Sequence, residues 1–346
     1  MKIVLQAAMV AALAISLCGC PPKPKRGPIM PGAPAPPPSY PRAKKVPIDA
    51  ALQASAKKEI QAALHSSDEV LRGNAIETLK DAHLPGSDEQ IVAALGDRSL
   101  FVRKAAAMAI GELRIQSAKS KLPPLLDADM GSTPQQAMDA DQERMAGIFA
   151  LHRLGDTQYS HEFEKTAFDT RPPVRRDTAF ILGLMDEKSA IPILEKMLRE
   201  DQDVNVRLMA GEALWRLGDE KGEDALLEAT VSRMASDQMI AALALAQPRD
   251  GRVLGHIEGM FNNYYLEVNL VCARAAGMLG SDEGYGYVIQ GATSTDARQR
   301  SLAALAFGDI GRSDSQRYLE KLLKDENPNV RLAAAKALVE IAEVQQ

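Results

Sequence analysis

The feature of this sequence that most constrains its fold is a repeat of about 31 residues that runs through most of the 346-residue chain. Nine polar residues recur as rungs, with successive steps of 31, 41, 31, 32, 31, 31, 31 and 31 residues. These rungs are Arg72, Arg103, Arg144, Arg175, Arg207, Gln238, Asn269, Arg300 and Arg331. The 41-residue step indicates an insertion between Pro123 and Gln142. A period of this length is typical of a solenoid, in which each repeat buries its apolar face against its neighbours.

The positions that follow each rung predict an α-helix. Three residues after the rung the side chain is small in every repeat, as in Ala75, Ala210 and Cys272. Four residues after the rung the side chain is again small in most repeats, and seven residues after it most repeats have a larger apolar residue such as Leu214. Offsets of three, four and seven lie on one stripe of a helix. We therefore expect Cys272 to be a small buried hydrophobe and not a reactive thiol.

Each rung helix is preceded by a second amphipathic segment, such as residues 190–198, whose proline stands in the first turn. Many rung helices end in Leu-Gly-Asp, as at Gly155 and Gly218, where glycine suits a left-handed cap. Each repeat is therefore predicted to be a helix pair. The fold class that follows is all-α, an α-solenoid of about nine helix pairs over residues 48–346.

The segment from Asp201 to Ala210, repeated from Asp325 to Ala334, resembles the short HEAT-like repeats of the phycobilisome-lyase type. The resemblance implies that an aspartate six residues before one rung packs against the arginine of the adjacent repeat. The residues that match this position are Asp97, Asp169, Asp201 and Asp325, whereas Ser66, Met138, Ser232, Asn263 and Ser294 do not. The arginine ladder is therefore interpreted as structural, and the junctions at Gln238 and Asn269 are expected to be looser.

The N-terminal residues predict an export signal. Lys2 precedes an apolar run of 15 residues, from Ile3 to Leu17, which is short of the roughly 20 needed to span a bilayer. The following Leu-Cys-Gly-Cys resembles the bacterial lipoprotein box, which implies removal of residues 1–19 and acylation of Cys20. A secreted soluble protein or an uncleaved single-pass anchor is the alternative. Pro21 and Pro22 include no Asp, which by the family's sorting rule favours the outer membrane over the inner one.

Residues 20–47 read as the acylated cysteine followed by a tether. Residues 21–47 contain 11 prolines and six basic residues. Such a chain populates extended polyproline II at about 3.1 Å per residue, which gives a spacer with a reach of about 80 Å. Its PxxP-like stretches could alternatively dock in a proline-reading groove.

Composition argues against several classes of function. Beyond residue 47 the chain has 34 basic and 46 acidic residues, so it repels phosphate backbones, and no nucleic acid is expected as a partner. The five histidines show no metal-site spacing, and the segment Tyr159–Lys165 has Lys165 where a zinc-protease helix needs a second histidine. No phosphate-binding glycine loop or nucleophile elbow occurs. We expect no cofactor, no metal and no enzymatic activity.

The sequence favours an interaction scaffold that binds another protein and is held to a membrane of the bacterial envelope. The predicted partner-binding residues lie five and nine positions after the rungs, and they are Phe149, Phe180, Leu184, Leu243, Met278 and Leu305. These side chains could instead pack against neighbouring helices. Tyr264 and Tyr265, with Tyr285 and Tyr287 nearby, are a second candidate surface, with ordinary turn packing as its alternative. Two other functions stay open: a lyase-like or cofactor-binding enzyme, and a structural envelope component acting through the tether.

Overall fold

The computed structural model describes residues 46–127 and 133–342. Cys20, the signal segment and the tether as far as residue 45 lie outside these residues. The described part contains seventeen α-helices and no β-strand, which confirms the all-α solenoid. The helices are Ala50–Leu64 (α1), Glu69–Ala82 (α2), Ser87–Ala93 (α3), Leu100–Leu113 (α4), Pro134–Arg153 (α5), Glu162–Thr166 (α6), Pro172–Met185 (α7), Ile191–Glu200 (α8), Val204–Arg216 (α9), Glu220–Ala229 (α10), Ala235–Ala246 (α11), Leu254–Glu258 (α12), Leu266–Met278 (α13), Tyr285–Ala292 (α14), Ala297–Ile310 (α15), Gln316–Leu322 (α16) and Pro328–Ile341 (α17).

Every rung lies in a helix, as the periodicity predicts, and that helix is the second α-helix of a pair except at α5, which is preceded by two 3-10 helices, Gln116–Lys121 and Pro123–Asp127. The rung helices are α2, α4, α5, α7, α9, α11, α13, α15 and α17. The small residues three positions after the rung are fully buried at Ala75, Ala210 and Ala334. Successive rung helices pack side by side, as α7 does on α9 and α13 does on α15. The small stripe therefore lets neighbouring helices approach closely.

The helix ends follow the predicted chemistry, whereas some first helices are much shorter than expected. Gly155 and Gly218 adopt left-handed backbone conformations with φ of 86° and 79°, which a side chain would disfavour. By contrast α6 and α12 have only five residues each. At α12 a 3-10 helix, Gly251–Val253, leads into the helix, Gly259 follows it, and a left-handed Asn262 stands three residues later, so the α-helix is limited to little more than one turn. The ten-residue insertion contributes to α5, the longest helix described, with 20 residues.

The chain divides into two compact units. The first is Lys57–Gly222, and the second comprises the described residues 46–56 and 223–342. In the second unit the N–H of Val46 donates a hydrogen bond of 2.9 Å to the carbonyl oxygen of Ile341 at the end of α17. Val46 also pairs with Ala342 as a parallel β-bridge, and Ile48 is only 4% exposed. The point where the tether meets the solenoid is therefore fixed against the last helix.

Candidate functional site

The arginine rungs hold neighbouring repeats together. Arg72 donates two hydrogen bonds to the Asp97 carboxylate of the next repeat, of 2.8 Å from Nε and 2.7 Å from Nη2. The same bidentate pair joins Arg175 to Asp201. The hydrogen bond from Arg72 lowers the pKa of the Asp97 carboxyl below its ordinary value. The ladder is therefore made of repeat junctions that are already paired, which agrees with a structural role.

Two consecutive repeats in the second compact unit replace these ion pairs with neutral contacts. The Gln238 side-chain amide donates to the carbonyl oxygen of Ser232 at 2.6 Å, and its Oε1 accepts from Asn263 Nδ2 at 2.8 Å. Asn269 Nδ2 donates to the carbonyl oxygen of Asn263 at 2.9 Å. A neutral hydrogen bond between the repeats thus stands where Arg72, Arg175 and Arg300 make a bidentate ion pair, in line with the expected loss of the charged partner.

The structure also shows a glycine column that the sequence analysis did not recognise. Eight positions after their rungs, Gly111, Gly183, Gly277 and Gly308 touch the next rung helix. A Cβ at Gly183 would lie 2.8 Å from the Cα of Ala213. The sequence signal was present but interrupted, because other repeats carry larger residues at this position. Backbone therefore meets backbone at these four junctions.

The predicted apolar groove is corrected by the structure. Phe149 is 0% exposed, Leu243 is 3% exposed and Met278 is 8% exposed, so these three side chains belong to the core. Phe180, Leu184 and Leu305 are half-buried.

Two contacts in the first compact unit show how closely its rung helices pack around the predicted groove. The Phe149 ring lies over Gly111 of α4, so that a Cβ there would come within 2.5 Å of it. Lys104 on α4 also reaches Asp177 on α7 and binds its carboxylate, bringing together helices that are separated in sequence by α5. Phe149, Leu243 and Met278 therefore pack against neighbouring helices, which was the alternative to a binding groove.

An exposed apolar surface lies instead at the turns that lead into α11 and α13. We call it the turn edge and define it as Val231, Met234, Tyr264 and Tyr265. Val231 is 67% exposed, Met234 is 55% exposed and Tyr264 is 79% exposed, while Tyr265 is half-buried. The two tyrosine rings are perpendicular, with centroids 5.1 Å apart. Because α11 and α13 pack against each other, the turn edge spans adjacent repeats of the second compact unit.

Two residues of the turn edge stand at positions where four other repeats place an Asp or Asn helix cap. Asp68, Asp203, Asp296 and Asn327 precede their rung helices and accept hydrogen bonds from helix N–H groups. Met234 and Tyr265 stand at the equivalent positions with the same extended backbone and make no side-chain cap hydrogen bond. Replacing a good cap by an apolar residue costs about 0.5–2 kcal/mol. Both repeats therefore lack a stabilising contact where they expose an apolar side chain.

The other two tyrosines do not extend this surface, contrary to the expected four-residue patch. Tyr285 is 9% exposed and packs on Phe307, and its hydroxyl lies 3.2 Å from that of Ser315. The Tyr287 hydroxyl donates to Asn262 Oδ1 at 2.7 Å and accepts from its backbone N–H. Tyr287 therefore supports the left-handed turn that presents Tyr264.

His152 and Cys272 make structural contacts. His152 lies between Ser160 Oγ at 2.8 Å and Glu187 Oε1 at 2.9 Å, and so ties the turn after α5 to the turn after α7. Among the described residues, no group of three or more histidine, cysteine, aspartate or glutamate side chains is placed to hold a metal ion. Cys272 is buried, which confirms its predicted packing role, and burial raises the pKa of its thiol to about 12.

Comparison with known proteins identifies the family. A sequence profile of HEAT repeats matches residues 57–138, 162–246 and 287–346, about two thirds of the chain. The chain belongs to the HEAT-repeat family. Among solved structures, this HEAT protein resembles the complex of CpcE and CpcF of phycocyanin lyase from Nostoc sp. PCC7120, at 18% identity over 72% of this chain and 93% of that chain, with a TM-score of 0.33. No segment of the described residues forms a helix both long and apolar enough to cross a membrane.

Enzymes also occur among the relatives of this HEAT protein. Deoxyhypusine hydroxylase of Danio rerio is 30% identical over 99 residues, which are 28% of this chain and 32% of that enzyme. The structure of human deoxyhypusine hydroxylase matches 75% of this chain and 97% of its own, at 17% identity and a TM-score of 0.39. The zebrafish relative contradicts the prediction that the protein is not an enzyme. The matched segment spans about a third of that relative, so its activity is not transferred to the whole protein.

Proposed function

We propose that this protein is a lipid-anchored component of the bacterial envelope whose HEAT solenoid binds another protein through the turn edge. One observation carries the binding surface: exposed Val231, Met234 and Tyr264 stand in turns of two adjacent repeats whose helices lack side-chain caps. Large exposed apolar side chains grouped on one face mark interaction sites. Tyrosine adds a broad, amphipathic contact, which is why it is enriched where proteins bind each other.

Site-specific crosslinking in cells tests the surface. A photoreactive phenylalanine analogue at position 264 should capture one defined protein, because this position is exposed and lies within the turn edge. The same residue at position 204 is the matched control: Val204 is also exposed, at 46%, but it lies in the first compact unit. Equal capture at both positions, or at neither, would contradict the proposed surface.

The anchor is tested separately at Cys20. Cys20→Ala should leave an exported, unprocessed precursor that takes up no radioactive palmitate. A variant that matures normally and still incorporates label would remove the lipoprotein assignment. Fractionation of the wild-type protein should place it with the outer membrane, as the sorting rule predicts for Pro21 and Pro22. Its recovery with the inner membrane would overturn that location.

An enzymatic function is the second candidate, supported by the 99-residue similarity to deoxyhypusine hydroxylase. The test incubates purified protein with a deoxyhypusine-containing substrate, dioxygen and a reductant. If this chain shares the relative's reaction, the substrate gains one oxygen atom from dioxygen, which mass spectrometry detects. The third possibility, a structural component acting through its tether, predicts a different result. Deletion of residues 21–47 would then abolish function, while substitutions in the turn edge would leave it unchanged.

A further inference from the structure

We propose that the proline-rich residues 31–38 of this chain dock on the turn edge, so that the tether and the partner protein compete for one surface. The competition with a partner protein rests on the proposed function, in which the partner binds the turn edge. The docking itself is argued from three observations: the turn edge, the point where the tether meets the solenoid, and the composition of the tether.

The aromatic pair of the turn edge has the chemistry that binds proline-rich chains. Tyr264 and Tyr265 present perpendicular rings 5.1 Å apart, and Tyr264 is 79% exposed. Aromatic-lined surfaces bind polyproline II segments because flat pyrrolidine rings pack on aromatic faces and the chain loses little entropy on binding. Val231 and Met234 in the adjacent repeat extend this apolar contact along the edge.

The attachment point at Val46 decides which prolines reach the edge. Val46 is hydrogen-bonded to Ile341 at the C-terminal end of α17, whereas the turn edge lies at the N-terminal ends of α11 and α13. The rung helix α17 is about 21 Å long at 1.5 Å per residue, and two helix-to-helix steps of about 10 Å separate it from α13. The straight-line distance from Val46 to Tyr264 is therefore about 30 Å, and a path over the surface is about 40 Å.

At about 3.1 Å per residue, an extended chain covers this distance in roughly 10 to 13 residues. Counting back from Val46, that interval ends at about residues 33–36. These positions lie within residues 31–38, which contain five prolines in eight positions. The part of the tether richest in proline is therefore the part that reaches the tyrosine pair.

Charge favours the same arrangement. Asp237 and Glu267 stand in the first turns of α11 and α13, next to the turn edge, and their charge exceeds by one that of the exposed Arg233, which lies between Val231 and Met234. The residues between the proline-rich run and Val46 include Arg42, Lys44 and Lys45 and no acidic residue. Because a linker this short gives an effective concentration on the order of millimolar, even a contact with a Kd of about 1 mM would be formed about half of the time.

Photo-crosslinking of the purified full-length chain in detergent tests the docking. With the photoreactive residue at position 264, peptide mapping should find links to residues 31–38 within the same chain. The yield should not change on tenfold dilution, because both groups belong to one molecule. It should fall at least severalfold when Pro34, Pro36, Pro37 and Pro38 are changed to Ser. Position 204 should give no such link.

Three results would overturn the docking: no link from position 264 to residues 31–38, a link whose yield falls with dilution because it joins two copies, or a link unaffected by the proline changes. Loss of the docking alone would not remove the proposed function, because partner capture in cells is measured independently. If both hold, the proline variant should capture the partner from position 264 severalfold more efficiently than the wild-type chain does. Unchanged capture would refute the competition.

Discussion

A single methyl group added at Gly183 should destabilise the first compact unit. In Gly183→Ala the new Cβ would lie 2.8 Å from both Cα and Cβ of Ala213 on α9, whereas ordinary contact begins at 3.4 Å. Because backbone cannot rotate away, α7 and α9 must separate by at least about 0.6 Å, which places the cost near the upper end of the 1–3 kcal/mol typical of overpacking. Alanine returns about 1 kcal/mol of helix propensity. The expected net loss is about 2 kcal/mol.

Thermal unfolding followed by far-ultraviolet circular dichroism measures this loss. A reduction of about 2 kcal/mol should lower Tm by about 4–8 °C for a unit of this size. Gly286→Ala is the matched control, since Gly286 lies in α14 and a Cβ there meets nothing within 4 Å. The control should gain about 0.4–1 kcal/mol and melt slightly higher. A Gly183→Ala protein as stable as the control variant would refute the close approach of α7 and α9.

Three further predictions concern caps, columns and charge. Met234→Asp should restore an N-cap and raise the free energy of unfolding by about 0.5–2 kcal/mol, while reducing partner capture from position 264 in cells. If the variant binds normally, Met234 is not part of the surface. Ala210→Leu should overpack one junction by about 1–3 kcal/mol and split the melting curve into two steps, so a wild-type curve would remove Ala210 from the buried stripe. Asp97→Asn should destabilise the protein at neutral pH. Because the pKa of Asp97 is lowered in the folded state, its stabilisation is present above about pH 4 and lost as the pH falls through the folded pKa, so variant and wild type should converge in acid.

The repeat architecture could be predicted from the sequence because burial imposes the same demand in every repeat. Three features meet a local requirement that recurs about every 31 residues. They are the stripe of small residues at Ala75 and Ala210, the arginine ion pair at Arg72 and the glycine cap at Gly155. Such columns survive as sequence patterns even when the rest of each repeat diverges. The buried position of Cys272 followed from its column for the same reason.

The predicted groove failed because a column shows which side of a helix faces inward, not how closely inward faces approach each other. Phe149 lies five positions after its rung, as Leu305 does, yet it is buried against α4 because Gly111 leaves room for its ring. The contact between Lys104 and Asp177 depends on the rotation from one repeat to the next. That rotation is a sum of many small packing differences, and no single column records it.

The turn edge was only half visible in the sequence, although its signal was present. Tyr264 and Tyr265 stood out because aromatic residues are rare in this chain, while Val231 and Met234 are unremarkable in composition. The decisive comparison is with the cap position, where Asp or Asn serves four other repeats and Met234 and Tyr265 do not. A comparison of the cap position across the repeats would have added Met234 to the two tyrosines, but not Val231.

Three losses coincide in the same two repeats, and their coincidence is the physical argument for function. The repeats of Gln238 and Asn269 lack the arginine ion pair, lack the helix cap and expose apolar side chains. Each loss is unfavourable for an isolated solenoid, since a cap alone is worth about 0.5–2 kcal/mol. Single losses occur in other repeats, since Arg171 before α7 makes no side-chain cap and Val204 on α9 is 46% exposed, but among the described repeats only these two combine all three. The combination of all three in adjacent turns is expected when a binding surface sets the residue types there and other repeats, with bidentate pairs such as Arg175–Asp201 and Arg300–Asp325, supply the stability.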